Sequence, residues 1–307
     1  MTTEHYTFVI KIFFTRMNNT LHKIYIAAFF IVGIAVAILL AINGYTYYST
    51  IEEEKFFNAS HQLLKPSGYL GHGLGILGTL MMIVGVAIYM IRKRFRLFFN
   101  LGFLKHWLEF HIFLCTVGPM LILYHTAFKF GGIVAVSFWS MVLVVISGII
   151  GRFIYVQIPR TIQGQELSIK DLNALNDEIQ FKLLNNYKVN ASLLAEFDHI
   201  NRISKYKSAS TLGAVVFIIK DYFNIKVLLN KFKKELRKMN LPRSGKKEAV
   251  KTAKQMLIMS RRIGLLRTMQ KLFKYWHVAH LPFAIIMFVI MIVHVAVTIA
   301  FGYKWVF

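Results

Sequence analysis

Apolar residues along this chain are gathered into five long runs instead of alternating with polar ones. Each run is long enough for a hydrocarbon core of ~30 Å, which takes ~20 helical residues. They predict membrane spans at approximately 24–47, 69–91, 107–128, 133–156 and 275–302. Within the fifth, the stretch LPFAIIMFVIMIVHVAVTIAF (281–301) carries no charge. Tyr45, Tyr47, Tyr48, Tyr69, Trp107, Tyr275 and Trp276 fall near span ends, where amphipathic rings suit the headgroup level. Between the fourth and fifth runs the pattern becomes amphipathic, with helices predicted over roughly 166–184, 191–205, 211–239 and 246–271. Pro159, Gly213 and Pro242 punctuate them, and GAVVFII (213–219) is too short to span and is expected to lie against a membrane surface. The expected fold class is an all-α integral membrane protein: a five-helix transmembrane bundle with a helical cytoplasmic insertion. Residues 1–157 hold the first four spans, 158–274 the insertion, and 275–307 the fifth span with a short outer tail.

Composition sharpens this picture. Of the 307 residues, 56% are hydrophobic, and the formal net charge is +23. Such an excess points to nucleic acid or to an anionic membrane surface, and the apolar runs favour the membrane, because Lys and Arg concentrate in the segments flanking them; no nucleic-acid partner is expected. The single cysteine, Cys115, lies inside a span, which leaves no disulfide framework, no CxxC zinc site and no CxxCH haem attachment. The first run is too long for a signal-peptide core and lacks a small-residue cleavage site, so it is expected to be retained.

Flanking charge sets an expected orientation. Lys11, Arg16 and Lys23 precede the first span, and Arg92, Lys93, Arg94, Arg96 and Lys105 follow the second. Glu52, Glu53 and Glu54 lie in the loop between them. The insertion carries 24 Lys and Arg against nine Asp and Glu. The positive-inside rule then predicts a multi-pass protein of a bacterial inner (plasma) membrane, with a cytoplasmic N-terminus and an extracytoplasmic C-terminus. The basic insertion would dock on anionic lipid or on a soluble redox partner.

The histidines are the candidate chemistry. His111 and His125 in the third span are fourteen residues apart, and so are His280 and His294 in the fifth. Fourteen residues return to within about 40° of one helix face and rise ~21 Å. Each helix thus presents two imidazoles on one stripe, one near each membrane surface. The two spans run in the same direction, which sets His111 level with His280 and His125 level with His294. Two facing imidazoles at two depths suit the two axial positions of haem iron, and so two haem b groups are expected. Gly118 lies midway between the ligands of its helix, where a missing side chain lets a macrocycle or a neighbouring helix approach. Pro119 is expected to kink the span. Packing histidines or a metal-transport path are the alternatives: a non-haem transporter or scaffold. Metal paths usually recruit carboxylates or thiolates, and Glu109 is the only Glu in a span.

The stretches HWLEFHIFLCTVGPMLILYHTAFKFGG (106–132), SGIIGRFIYVQIPR (147–160) and WHVAHLPFAIIMFVIMIVHVAV (276–297) are similar to bacterial diheme membrane cytochromes b. The paired histidines resemble those of ferric-reductase-like and quinol-oxidising cytochrome b transmembrane domains. The resemblance implies transmembrane electron transfer between a quinone pool or cytoplasmic donor and an extracytoplasmic c-type cytochrome or iron–sulfur protein. It departs from the reductases in one respect: no flavin or nicotinamide domain is expected after the fifth span, and the insertion holds no Gly-rich dinucleotide fingerprint. Catalysis is then expected, if anywhere, at a quinone site.

Other candidates lie around these pairs. His72, in GYLGHGLG (68–75), is a candidate for a haem propionate contact, a quinol site or a further ligand, or is a polar helix-end residue. Gly71, Gly75, Gly78 and Gly85 form a small-residue stripe on the same span. His106, Glu109 and His277 are grouped as a candidate quinone and proton site, because a carboxylate at an apolar boundary exchanges protons readily. Arg152 and Arg160 either contact propionates or anchor the fourth span.

Overall fold

The computed structural model describes residues 19–95, 103–159, 166–187, 189, 211–239 and 241–301, and every long element in them is a helix. We label these α1 (Asn19–Tyr48), α2 (Tyr69–Arg94), α3 (Leu104–His125), α4 (Gly132–Gln157), α5 (Ile169–Asn185), α6 (Thr211–Lys238) and α7 (Arg243–Ala300). Five of them, α1 to α4 and α7, are long and apolar enough to cross a membrane. The expected helix 191–205 and Arg160 lie outside the described residues. The stretch 213–219 falls within α6.

Among the described residues, those up to Ile149 and from Val278 onward form one compact unit, and those between Ile150 and His277 form another. In the first unit, Ile24, Phe30, Ile31, Ile42, Ile133 and Ile149 remain exposed, an outer surface suited to lipid. Its interior is a methionine-rich cluster of Met82, Phe138, Met141, Met287 and Met291. The Ser137 hydroxyl donates to the Met287 carbonyl at 3.0 Å, tying α4 to α7 there.

Two boundaries differ from the hydropathy reading. The third span ends at His125, not at 128, because Ala127 (φ 50°) and Phe128 (φ 63°) adopt the left-handed conformation that stops a helix. The Lys55 ammonium donates to the Ala127 carbonyl at 2.8 Å, and burial pushes that ammonium below its ordinary pKa. The predicted break near 272–274 is also absent: α7 runs unbroken from Arg243 to Ala300. Composition changes there from basic to apolar, but Leu272, Phe273 and Lys274 are all compatible with a helix. Pro282 inside α7 removes only one backbone donor.

The second unit has two apolar clusters. One joins Leu183, Phe232, Leu236, Met256 and Leu257 from α5, α6 and α7. The other joins Ile154, Ile158, Leu172, Leu265 and Met269. Helix α5 starts at Ile169, three residues after the expected position, because Ser168 and Asp171 form a capping box.

Candidate functional site

The site is organised by the close contact between α2 and α3. The pair is antiparallel and repeats every seven residues. A Cβ added to Gly78 would lie 2.7 Å from the Gly118 carbonyl oxygen, and one added to Gly118 would lie 2.8 Å from the Gly78 carbonyl oxygen. The two backbones therefore touch at the middle. Seven residues away in one direction, the His125 ring meets the Gly71 carbonyl; seven in the other, the His111 ring meets the Gly85 carbonyl. The small-residue stripe of α2 thus serves helix packing, and Gly118 faces α2, its would-be Cβ also 3.0 Å from Met82 Cγ.

These contacts fix the protonation of the imidazoles. His111 Nδ1 is 3.1 Å from the Gly85 oxygen, and His125 Nδ1 is 2.7 Å from the Gly71 oxygen. A carbonyl only accepts, so each Nδ1 must carry the proton and donate. His280 Nδ1 lies 2.6 Å from the Ser147 hydroxyl, which is also 3.0 Å from the Val144 carbonyl. A hydroxyl both donates and accepts, so this contact holds the His280 ring in place without choosing its tautomer. In the neutral His111 and His125 rings the lone pair is therefore left on Nε2. Imidazoles that ligate metals are held in this way, with the second nitrogen donating to a carbonyl or another acceptor.

The four histidines are half-buried, and their surroundings differ between the two ends. At one end, His72 and His294 both lie within electrostatic range of His125, and the His72 ring centroid is 6.3 Å from that of His125. His294 is also within range of His72. At the other end, His111 meets Tyr89 (ring centroids 5.4 Å apart) and Cys115 Sγ at 3.6 Å, while His280 meets Ser147 of α4. Met287, seven residues from both His280 and His294, is buried at the centre of the methionine cluster. That spacing was readable in the chain, and it parallels Gly118 on α3.

The group His106, Glu109 and His277 is divided between the two units. His106 Nδ1 is 3.0 Å from Glu109 Oε2. His277 is exposed in the second unit against Phe273 and Trp276. Arg152 is also in that unit, its guanidinium 5.7 Å over the Tyr155 ring. What joins His106 and Glu109 is His22 of α1, whose Nε2 is 3.6 Å from Glu109 Oε1 and whose ring centroid is 4.8 Å from that of His106. His22 precedes the first apolar run, so hydropathy gave it no role. The parallel α1–α3 seam brings it in: Phe29, seven residues on, stacks on Phe113, seven residues after His106, with centroids 4.4 Å apart.

Separately, a cleft of about 260 Å³ is lined by Ala41, Tyr45, Tyr48, Ser49, Tyr124 and Phe128. No known protein family, curated protein or solved structure matches this chain.

Proposed function

We propose that this chain is a multi-pass membrane electron carrier that holds two haem b groups, one between His111 and His280 and one between His125 and His294. The observation that carries the reading is the shared Nδ1 donation of His111 and His125 to glycine carbonyls of α2, which leaves Nε2 as the ligating atom in each. Gly71 and Gly85 supply the carbonyls, and the Gly78–Gly118 contact holds both in register with α3. Met287 fills the space between the two levels of α7, and His72 adds a third imidazole at the His125 level.

Haem bound at these positions supplies one-electron chemistry, which would serve to join a quinone pool or cytoplasmic donor to an extracytoplasmic c-type cytochrome or iron–sulfur protein. We place the N-terminus and the basic second unit in the cytoplasm, on the distribution of Lys and Arg.

The test is haem content per chain by pyridine haemochrome, with a reduced-minus-oxidised spectrum of the purified protein. Two b-type haems per chain are expected. His111→Ala or His280→Ala should remove one, and His125→Ala or His294→Ala the other. Folded protein without b-type haem would leave the histidines as packing residues and sink the proposal. Three haems per chain would make His72 a ligand.

A further inference from the structure

We propose that His22, His106 and Glu109 form a binding site for a divalent transition-metal ion, bridging α1 and α3. This does not rest on the haem reading, and none of its residues belongs to either histidine pair. One ligand atom from each residue lies within 4.8 Å of the others, close enough to converge on a single ion. Two imidazoles and a carboxylate are the donor set of zinc and of related first-row ions, which prefer nitrogen with one hard oxygen.

His22 decides between a metal site and a simple hydrogen bond. The His106–Glu109 pair is satisfied by itself, at 3.0 Å within one turn of α3. His22 adds nothing to it as a hydrogen bond, because 3.6 Å is too long. Its other nitrogen, Nδ1, is buried with no hydrogen-bond partner. No polar bond of the protein therefore holds this ring beside the pair, and an ion on Nε2, the nitrogen that faces Glu109, would supply the partner that the 3.6 Å contact withholds. His106 is only 3% exposed and the Glu109 side chain 10%, so the donors are shielded from competing water on the α3 side. Lys105 is the opposing charge; its side chain is exposed, where solvent screens it. A bound ion would withdraw Glu109 from proton exchange, so the site and the expected quinone role of this carboxylate are competing uses.

Full-length protein in detergent, stripped by a chelator and dialysed, is titrated with Zn²⁺, and bound zinc per chain is counted by mass spectrometry of the metal. Wild type is expected to bind zinc stoichiometrically. His22→Ala and Glu109→Gln should each remove one ion per chain or weaken it by more than about 100-fold, the upper range for losing a mere supporting group. His72→Ala should leave that ion in place. Helical circular dichroism and elution volume confirm that each variant is folded. Folded wild type without stoichiometric zinc overturns the proposal. So does zinc that persists unchanged in Glu109→Gln, or that is lost only in His72→Ala.

Discussion

The α2–α3 seam and the core of the second unit solve opposite packing problems. Along the seam the contact is made by glycines: Gly71, Gly78 and Gly85 on one helix, Gly118 on the other, with backbone carbonyls within reach of the facing helix. In the second unit the contact is made by large apolar side chains such as Phe232, Leu236, Met256 and Leu257, while Lys and Arg occupy the exposed positions. The difference follows from what surrounds each. An apolar side chain gains little by leaving lipid for a protein interior, so helices in lipid cohere by close backbone approach and specific polar bonds. Where water is outside, burial of apolar area is itself the driving force, and large side chains serve best.

The comparison breaks most sharply at Gly78. Any side chain there meets a backbone oxygen at 2.7 Å and Ile122 Cγ1 at 2.8 Å, and the oxygen cannot turn away. Gly78→Leu should force α2 from α3 and release the Gly71 and Gly85 carbonyls from both histidines. The expected loss exceeds ~5 kcal/mol or prevents folding, beyond ordinary overpacking. It is read by thermal unfolding in detergent. Gly148 of α4 has nothing within 4 Å of an added Cβ. Gly148→Ala should therefore stabilise by about 0.5–1 kcal/mol through helix propensity alone. Similar responses from Gly78→Ala and Gly148→Ala would end the claim that the seam depends on close approach.

In the second unit the equivalent test removes a side chain instead of adding one. Phe232 is 1% exposed between α5, α6 and α7. Phe232→Ala should cost about 3–5 kcal/mol, from lost transfer energy and the cavity left behind. Hydrogen exchange should show the loss of protection in α6 between Ile225 and Leu236. If protection there were unchanged, the cluster would not be what holds α6 in place.

Much of this was legible in the chain, for reasons that also explain the rest. Hydropathy is local, so the five apolar helices and the fourteen-residue histidine intervals could be counted directly. The stripe Gly71, Gly75, Gly78, Gly85 was visible too, but its register against His111, Gly118 and His125 depends on which helix it faces. His22 had no signal of its own, because its partners lie more than eighty residues away and the seam that aligns them is tertiary. The grouping of His277 with Glu109 followed from sequence depth alone, and the residues fall in different units. At α7 the change of composition at 272–274 predicts a break, but a helix stops for backbone reasons, and none is present there.

The smallest effect lies at the start of α5, where the second unit depends on polar bonds as the seam does. Ser168 Oγ accepts from the Asp171 backbone N–H at 3.1 Å, and Asp171 Oδ2 accepts from the Ser168 hydroxyl at 2.6 Å and its backbone N–H at 3.2 Å. Ser168→Ala should cost about 1 kcal/mol, the usual worth of an N-cap. The Ser168 hydroxyl, then its N–H, hold the Asp171 carboxyl below the ordinary carboxylate range, with Lys170 adding to the effect. A carboxyl lowered in the folded state contributes stability above its unfolded pKa and loses it as pH falls through the folded one. Protection of the first-turn amides of α5 should therefore decline in the wild type as pH falls below about 4, the ordinary aspartate value. In Asp171→Asn, which cannot ionise, that decline should flatten. A decline of equal steepness in Asp171→Asn would assign the pH dependence to another carboxylate and leave the cap as a neutral hydrogen bond.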